Sequence, residues 1–139
     1  MLTITDDDNP PSITIDDVIT NNEASISQSI NIHLSAPSEQ IVTVDWATQD
    51  VTAVAGGTGD YVSSSNTATF AVGETTKLIS VPILDDSLNE ANETFEINLS
   101  NATNAIITDN TSVVTITDDE GLPSLSVQNL THPTENNQA

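Results

Sequence analysis

Four short windows of this chain alternate apolar and polar residues: Ile30-Asn31-Ile32-His33-Leu34, Val42-Thr43-Val44-Asp45-Trp46, Ile79-Ser80-Val81-Pro82-Ile83 and Phe95-Glu96-Ile97-Asn98-Leu99. A period of two places every second side chain on one face of an extended strand, so each window has a face to bury and a face to wet. The windows are rich in Val, Ile and Thr, whose branched side chains suit a pleated surface. No stretch carries convincing helical periodicity. With weaker segments included, the pattern predicts seven strands near 12–16, 26–35, 41–48, 67–71, 76–84, 93–100 and 111–117. Turn segments such as Ala55-Gly56-Gly57-Thr58-Gly59 and Val72-Gly73-Glu74 separate them. Seven short strands at this spacing predict an all-β sandwich. Pro82 has no N–H to give to a ladder, which places its strand at a sheet edge.

With 139 residues the chain can bury the core of one domain. Its charge is lopsided: 21 Asp and Glu against a single Lys, Lys77, and no Arg, for a formal charge of -20. Such a surface repels phosphate, so neither nucleic acid nor an anionic membrane is expected as a partner. High charge with 3% aromatic residues is also a composition of disordered chains, but the strand alternation speaks against disorder. Without Cys there is no disulfide framework, zinc-thiolate site or thiol nucleophile. No apolar run approaches the ~20 residues of a membrane span, so this segment is not expected to insert directly into a membrane.

The two ends of the chain repeat one another. Thr3-Ile4-Thr5-Asp6-Asp7-Asp8, then Pro11-Ser12-Ile13-Thr14-Ile15, returns as Thr115-Ile116-Thr117-Asp118-Asp119-Glu120, then Pro123-Ser124-Leu125-Ser126-Val127. The offset is 112 residues, and it also carries Glu23 onto Glu135. A period of that length matches one sandwich per repeat. Residues 1–11 are therefore expected to end a preceding repeat, 12–120 to form one domain, and 121–139 to begin a following one. The chain reads as a piece of a tandem array, its neighbours being further copies of the same module. The strand expected around 123–127 is then available to pair with a neighbouring sheet edge.

Many carboxylates fall in turns beside strand ends: Glu23, Asp60, Asp85 and Asp86 with Glu90 and Glu93, and Asp118, Asp119 and Glu120. In a sandwich the loops gather at two poles, so these residues can meet. Carboxylates brought together raise one another's pKa and destabilise the fold unless a cation joins them. Calcium suits such a pole because it accepts 6–8 oxygens, bidentate carboxylates and loop carbonyls in irregular geometry, whereas magnesium demands a tight octahedron. Asp45, Asp50, Asp109, Glu39, Glu74 and Glu96 lack the support of the repeat and are read as solvated. An EF-hand counted from Asp85 fails, because Glu90 stands where the sixth position needs Gly and a strand begins where a helix should.

Taken together, several stretches resemble the Calx-beta domain: Val44-Asp45-Trp46-Ala47-Thr48-Gln49-Asp50, Ala55-Gly56 with Gly59-Asp60-Tyr61, Ala68-Thr69-Phe70 with Gly73-Glu74-Thr75, Ile83-Leu84-Asp85-Asp86 with Glu90, Glu93-Thr94-Phe95 and Leu99-Ser100, and Val114-Thr115-Ile116-Thr117-Asp118-Asp119. The resemblance covers about residues 12–120. Members occur in sodium/calcium exchangers, in integrin beta-4 and in tandem within large bacterial surface proteins. It implies an immunoglobulin-like, seven-stranded antiparallel β-sandwich that binds several Ca²⁺ at one pole. Carried onto this chain, the implied ligands are Glu23, Asp60, Asp85, Asp86, Glu90, Glu93, Asp118, Asp119 and Glu120, with an oxygen from the Leu88 carbonyl. Three departures stand out: Val51 where the family often has Gly, a lengthened Gly56-Gly57-Thr58-Gly59 turn, and Glu120 in place of a third Asp.

Other chemistry finds little footing. His33 lies on the polar side of its strand and His132 in the terminal fragment, and no Gly-x-Ser-x-Gly elbow is present. A glycosidase pair needs an apolar wall to raise its acid, which a many-carboxylate pole lacks. Trp46 and Phe70 are assigned to the core, and the Asn-x-Ser/Thr sequons, in a chain this rich in Asn and Thr, to chance. The expected protein is a non-enzymatic calcium-binding module of a larger surface-associated or membrane-linked protein, with a role in cell adhesion or communication, and extracellular. The alternatives are a spacer repeat without specific metal binding, and the cytoplasmic calcium sensor of an ion exchanger.

Overall fold

Period-two alternation turns into burial strand by strand. In a computed structural model describing residues 1–3, 8–19 and 22–128, the strands are β1 (Ser12–Ile15), β2 (Val18–Ile19), β3 (Ser27–Leu34), β4 (Val42–Asp50), β5 (Ser65–Phe70), β6 (Thr76–Pro82), β7 (Glu93–Thr103), β8 (Ile106–Ile107) and β9 (Thr111–Ile116). Ile30, Ile32 and Leu34 of β3 and Phe95, Ile97 and Leu99 of β7 all point into the core, while the residues between them face outward. Two sheets enclose that core, in the orders β6-β3-β1-β8 and β2-β9-β7-β4-β5. Tyr61, Phe70 and Phe95 are its largest fully buried side chains, and Trp46 is buried with them. Burying a side chain such as Phe95 is worth about 1.5–3 kcal/mol.

The expected sandwich is present, with two corrections. Nine strands are described rather than seven, and not all pairings are antiparallel: β1 with β8 and β2 with β9 run parallel. The two added strands, β2 and β8, are the ones that pair in parallel. β1 joins the four-stranded sheet, and after Asp16-Asp17 the chain crosses, so that β2 joins the five-stranded one. At the crossing, the Ser112 hydroxyl donates to the Asp16 carbonyl at 2.5 Å and the Val113 amide donates to the Asp17 carboxylate at 2.8 Å. These bonds satisfy backbone groups that neither ladder reaches. Pro82 does lie in an edge strand, at the end of the β3–β6 register opposite Ser27.

Two turns show why their residues stand where they do. Gly73 takes φ 83 in the Ala71–Glu74 turn, closed by the Glu74 amide donating to the Ala71 carbonyl at 2.9 Å, a conformation suited to glycine. The Glu74 carboxylate receives the Ala71 amide and the Lys77 ammonium, both within 2.9 Å. Asp45 accepts from the Thr67 hydroxyl and the Asn101 amide, which hold its carboxyl below the usual carboxylate range. Asp45 and Glu74, expected to be merely solvated, are therefore structural. His33 sits half-buried on β3 with Nε2 2.9 Å from the Asp16 carboxylate.

The loops gather at two ends. Residues 22–26, 51–64, 83–92 and 117–120 share one end, tied by the Glu23 amide to the Thr117 carbonyl at 2.9 Å, Leu84 to Asp60 at 2.9 Å, and Ile83 to Ile26 at 3.3 Å. At the other end Asn9, Pro10 and Pro11 meet Pro37, Ser38 and Asn104. Residues 121–128 pair with no strand and leave Leu122, Leu125 and Val127 exposed. Asp6, Asp7, His132, Glu135 and the Asn129 sequon lie outside the described residues. Among the described residues no helix is long and apolar enough to cross a membrane.

Candidate metal centre

Where strands end at the first pole, the backbone carries carboxylates inward. β9 runs out at Ile116, and the chain continues through Asp118, Asp119 and Glu120 along the loop that holds Glu23. One ligand oxygen from each of Glu23, Asp119 and Glu120 lies within 4.8 Å of the others, and the same holds for Asp60, Glu90 and Glu93. A small cavity of about 10 Å³ lies between the two groups, walled by Glu23, Asp60, Glu90, Glu93 and Asp118. That is about the room of one water or small ion.

Glu23 is the most informative residue. It is 5% exposed, and its Oε1 is buried without a hydrogen-bond partner among the described residues, as is Oε2 of Glu120. An unpaired buried carboxylate is among the costliest groups a fold can carry. Burial first, then Glu120 and Asp118, push the Glu23 carboxyl up to about 8. At the second group burial first, then Asp60 and Glu90, raise Glu93 to about 7. Glu90 is raised too, by desolvation and then by Asp86 and Asp60. A proton or a cation would relieve this crowding. All the converging donors are hard oxygens in irregular array, a set that fits Ca²⁺.

The remaining expected residues are placed differently. Asp118 is held by the loop before β7: the Asn89 side-chain amide donates to its Oδ2 at 2.9 Å and the Glu90 amide to its Oδ1 at 3.0 Å. Asp85 and Asp86 are exposed and belong to neither group; Oδ1 of Asp86 accepts the Leu88 amide at 2.6 Å in a local turn. Leu88 is exposed beside them.

Two residues escaped the reading of the sequence. Asn89 also donates to the Glu120 carbonyl at 2.7 Å, bridging the 83–92 loop to the acidic tail. Its position amid the acidic loop was the available signal. Asp50, read as solvated, accepts from the buried Tyr61 hydroxyl at 2.5 Å and the Ala55 amide at 3.0 Å. The visible hint was its place at the end of a strand, directly before the glycine-rich turn.

Known proteins share this fold. The family model for the Calx-beta domain matches residues 6–120. A stretch of 60 residues is 47% identical to sodium/calcium exchanger 1 of Canis lupus familiaris and of Bos taurus, covering 43% of this chain. It spans only 6% of the length of those exchangers. Among solved structures, the apo-form Calx CBD1 domain superposes with a TM-score of 0.72 at 21% identity, covering 81% of this chain and 100% of that one. The calcium binding domain CBD12 of CALX1.1 gives 0.69 at 22% identity, covering 78% and 46%. The Calx CBD2 domain gives 0.69 at 15%, covering 78% and 86%. At these identities the structural likeness speaks for the fold.

Proposed function

The chain belongs to the Calx-beta domain family, and on that premise we propose that it is a non-enzymatic module that binds more than one Ca²⁺ at its acidic pole. The observation that carries this reading is Glu23: a buried carboxylate with an unpartnered oxygen, facing Asp119 and Glu120. In this reading Glu23, Asp118, Asp119 and Glu120 hold one part of the ion cluster and Asp60, Glu90 and Glu93 the other. Asp85, Asp86 and the Leu88 carbonyl serve from the rim. Bound calcium supplies the positive charge that lets these carboxylates stay ionised together. The structural neighbour named as a calcium binding domain supports the choice of ion.

Calcium would act by linkage. An ion that binds only the folded chain stabilises it by about 2.7 kcal/mol at a hundredfold excess over Kd. Its ligands 118–120 close the domain we assign to 12–120, directly before the segment 121–139 assigned to a following repeat. Ion occupancy would therefore stiffen the junction between neighbouring repeats. The parent is proposed to be a membrane-linked, surface-associated protein with a role in adhesion or communication, in keeping with the membrane proteins among its relatives.

The test is a thermal melt in chelator, in millimolar Ca²⁺ and in millimolar Mg²⁺, on this chain and on the double variant Asp119→Asn, Glu120→Gln. A rise on the order of 10 °C is expected with Ca²⁺, little with Mg²⁺, and a much smaller rise in the variant. Equal melts in all three buffers would leave a spacer repeat whose carboxylates serve solubility alone.

A further inference from the structure

We propose that Asp50, acting with the phenol of Tyr61, is a positioning residue for the ion group at Asp60, Glu90 and Glu93: it fixes the loop that carries Asp60 without itself touching an ion. The proposal deepens the calcium reading and rests on it for its effect on affinity, while its structural half stands alone.

Asp50 is the last residue of β4, where the chain leaves the sheet for the turn 51–60. A single oxygen, Oδ1, accepts from the Ala55 amide at 3.0 Å and the Tyr61 hydroxyl at 2.5 Å, drawing the start and end of the glycine-rich turn to one point. Tyr61 is 1% exposed and stacks on Phe95, ring centroids 4.1 Å apart and planes 13° from parallel. Phe95 faces Asp50 across the β4–β7 ladder, and Glu93 stands two residues before it on the same strand. The anchor that fixes Asp60 thus bears on the strand that presents Glu93.

Within the turn, Asp60 is clamped on both sides of its Cα. Its amide donates to the Val54 carbonyl at 2.9 Å, and its Oδ2 accepts the Val54 amide at 2.6 Å. Gly59 admits no side chain, since a Cβ there would sit 2.1 Å from the Val54 carbonyl oxygen. Oδ2 of Asp60 is held by the Val54 amide, which fixes the carboxylate beside Glu90 and Glu93. The partners that orient ligands are often worth ten- to a hundredfold in metal affinity. Among the described residues no hydrogen bond of Asp50, Tyr61 or the Val54–Asp60 clamp runs to Glu23, Asp119 or Glu120, which ride on the 22–26 and 117–120 loops.

Three variants separate positioning from charge. Asp50→Ala removes the acceptor; Asp50→Asn keeps an oxygen in place and removes the charge; Tyr61→Phe removes one donor if Asp50→Ala fails to fold. Amide hydrogen exchange in chelator reads the clamp without any ion. The Val54 amide is expected to exchange at least about tenfold faster in Asp50→Ala, or measurably faster in Tyr61→Phe, and near the original rate in Asp50→Asn. Calcium titration by calorimetry, in a Glu120→Gln background that leaves the Asp60 group, is expected to show about ten- to a hundredfold weaker binding in Asp50→Ala and little change in Asp50→Asn. Unchanged Val54 exchange overturns the proposal whatever calcium does. Equal weakening in both Asp50 variants overturns it in favour of a charge effect, and wild-type affinity in Asp50→Ala overturns its effect on binding. If the unaltered chain takes up no calcium while Val54 is freed in Asp50→Ala, the calcium reading falls and the clamp stands.

Discussion

Glu23 stores a conflict that pH can expose. In a chain free of divalent ions its folded carboxyl lies near 8, against about 4.5 when solvated, because burial and then Glu120 and Asp118 disfavour its charge. A raised acid means that the folded chain holds more protons than the unfolded one between those values. Its stability contribution is therefore greatest below about 4.5 and is lost as pH rises through 8. Denaturant melts in chelator are expected to show stability falling from pH 5 to pH 8, and Glu23→Gln is expected to flatten the fall. In calcium the slope should reverse, since the ion needs the ionised form. A chelated chain more stable at pH 8 than at pH 5, with Glu23→Gln unchanged, would count against this account. Glu23 could be nominated from the sequence because the repeat returns it in the same register as the acidic triplet. Its partners could not be, since which loops touch is decided by how two sheets stack. Asp50 shows the limit plainly: its bond to Tyr61 spans a turn whose path no periodicity encodes.

At the scale of the elements, the break between β1 and β2 is where local pattern and final structure part company. Alternation located β3, β4, β6 and β7 because each has a continuous buried apolar face, three residues in β3, β4 and β7, and in β6 Ile79 and Val81 continued by Ile83 just past its end. Two-residue strands such as β2 and β8 carry no period at all, and their parallel pairings arise only once β1 and β9 are in place. What makes the crossing possible is polar: Ser112, fully buried, gives its hydroxyl to the Asp16 carbonyl. Ser112→Ala should leave that carbonyl unpaired and cost about 1–2 kcal/mol in urea unfolding, with Ser80→Ala on the outer face of β6 near neutral. Equal midpoints for the two variants would show that the crossing does not depend on this bond.

For the whole molecule, the parallel pair β2–β9 has a mechanical meaning. Residues 9–11 lie at one pole and residues 117–120 at the other, so the chain enters and leaves the sandwich at opposite ends. A pull applied through those ends drags β2 and β9 past each other along their length. The ladder bonds between them, together with Ser112–Asp16 and Val113–Asp17, then bear load at the same time and cannot open one by one from a frayed end. Single-molecule pulling from the termini should accordingly meet one high force peak, lowered by Asp17→Ala far more than by a loop change at Gly57. The crossing that looks like a break in the first strand is, under tension, a latch.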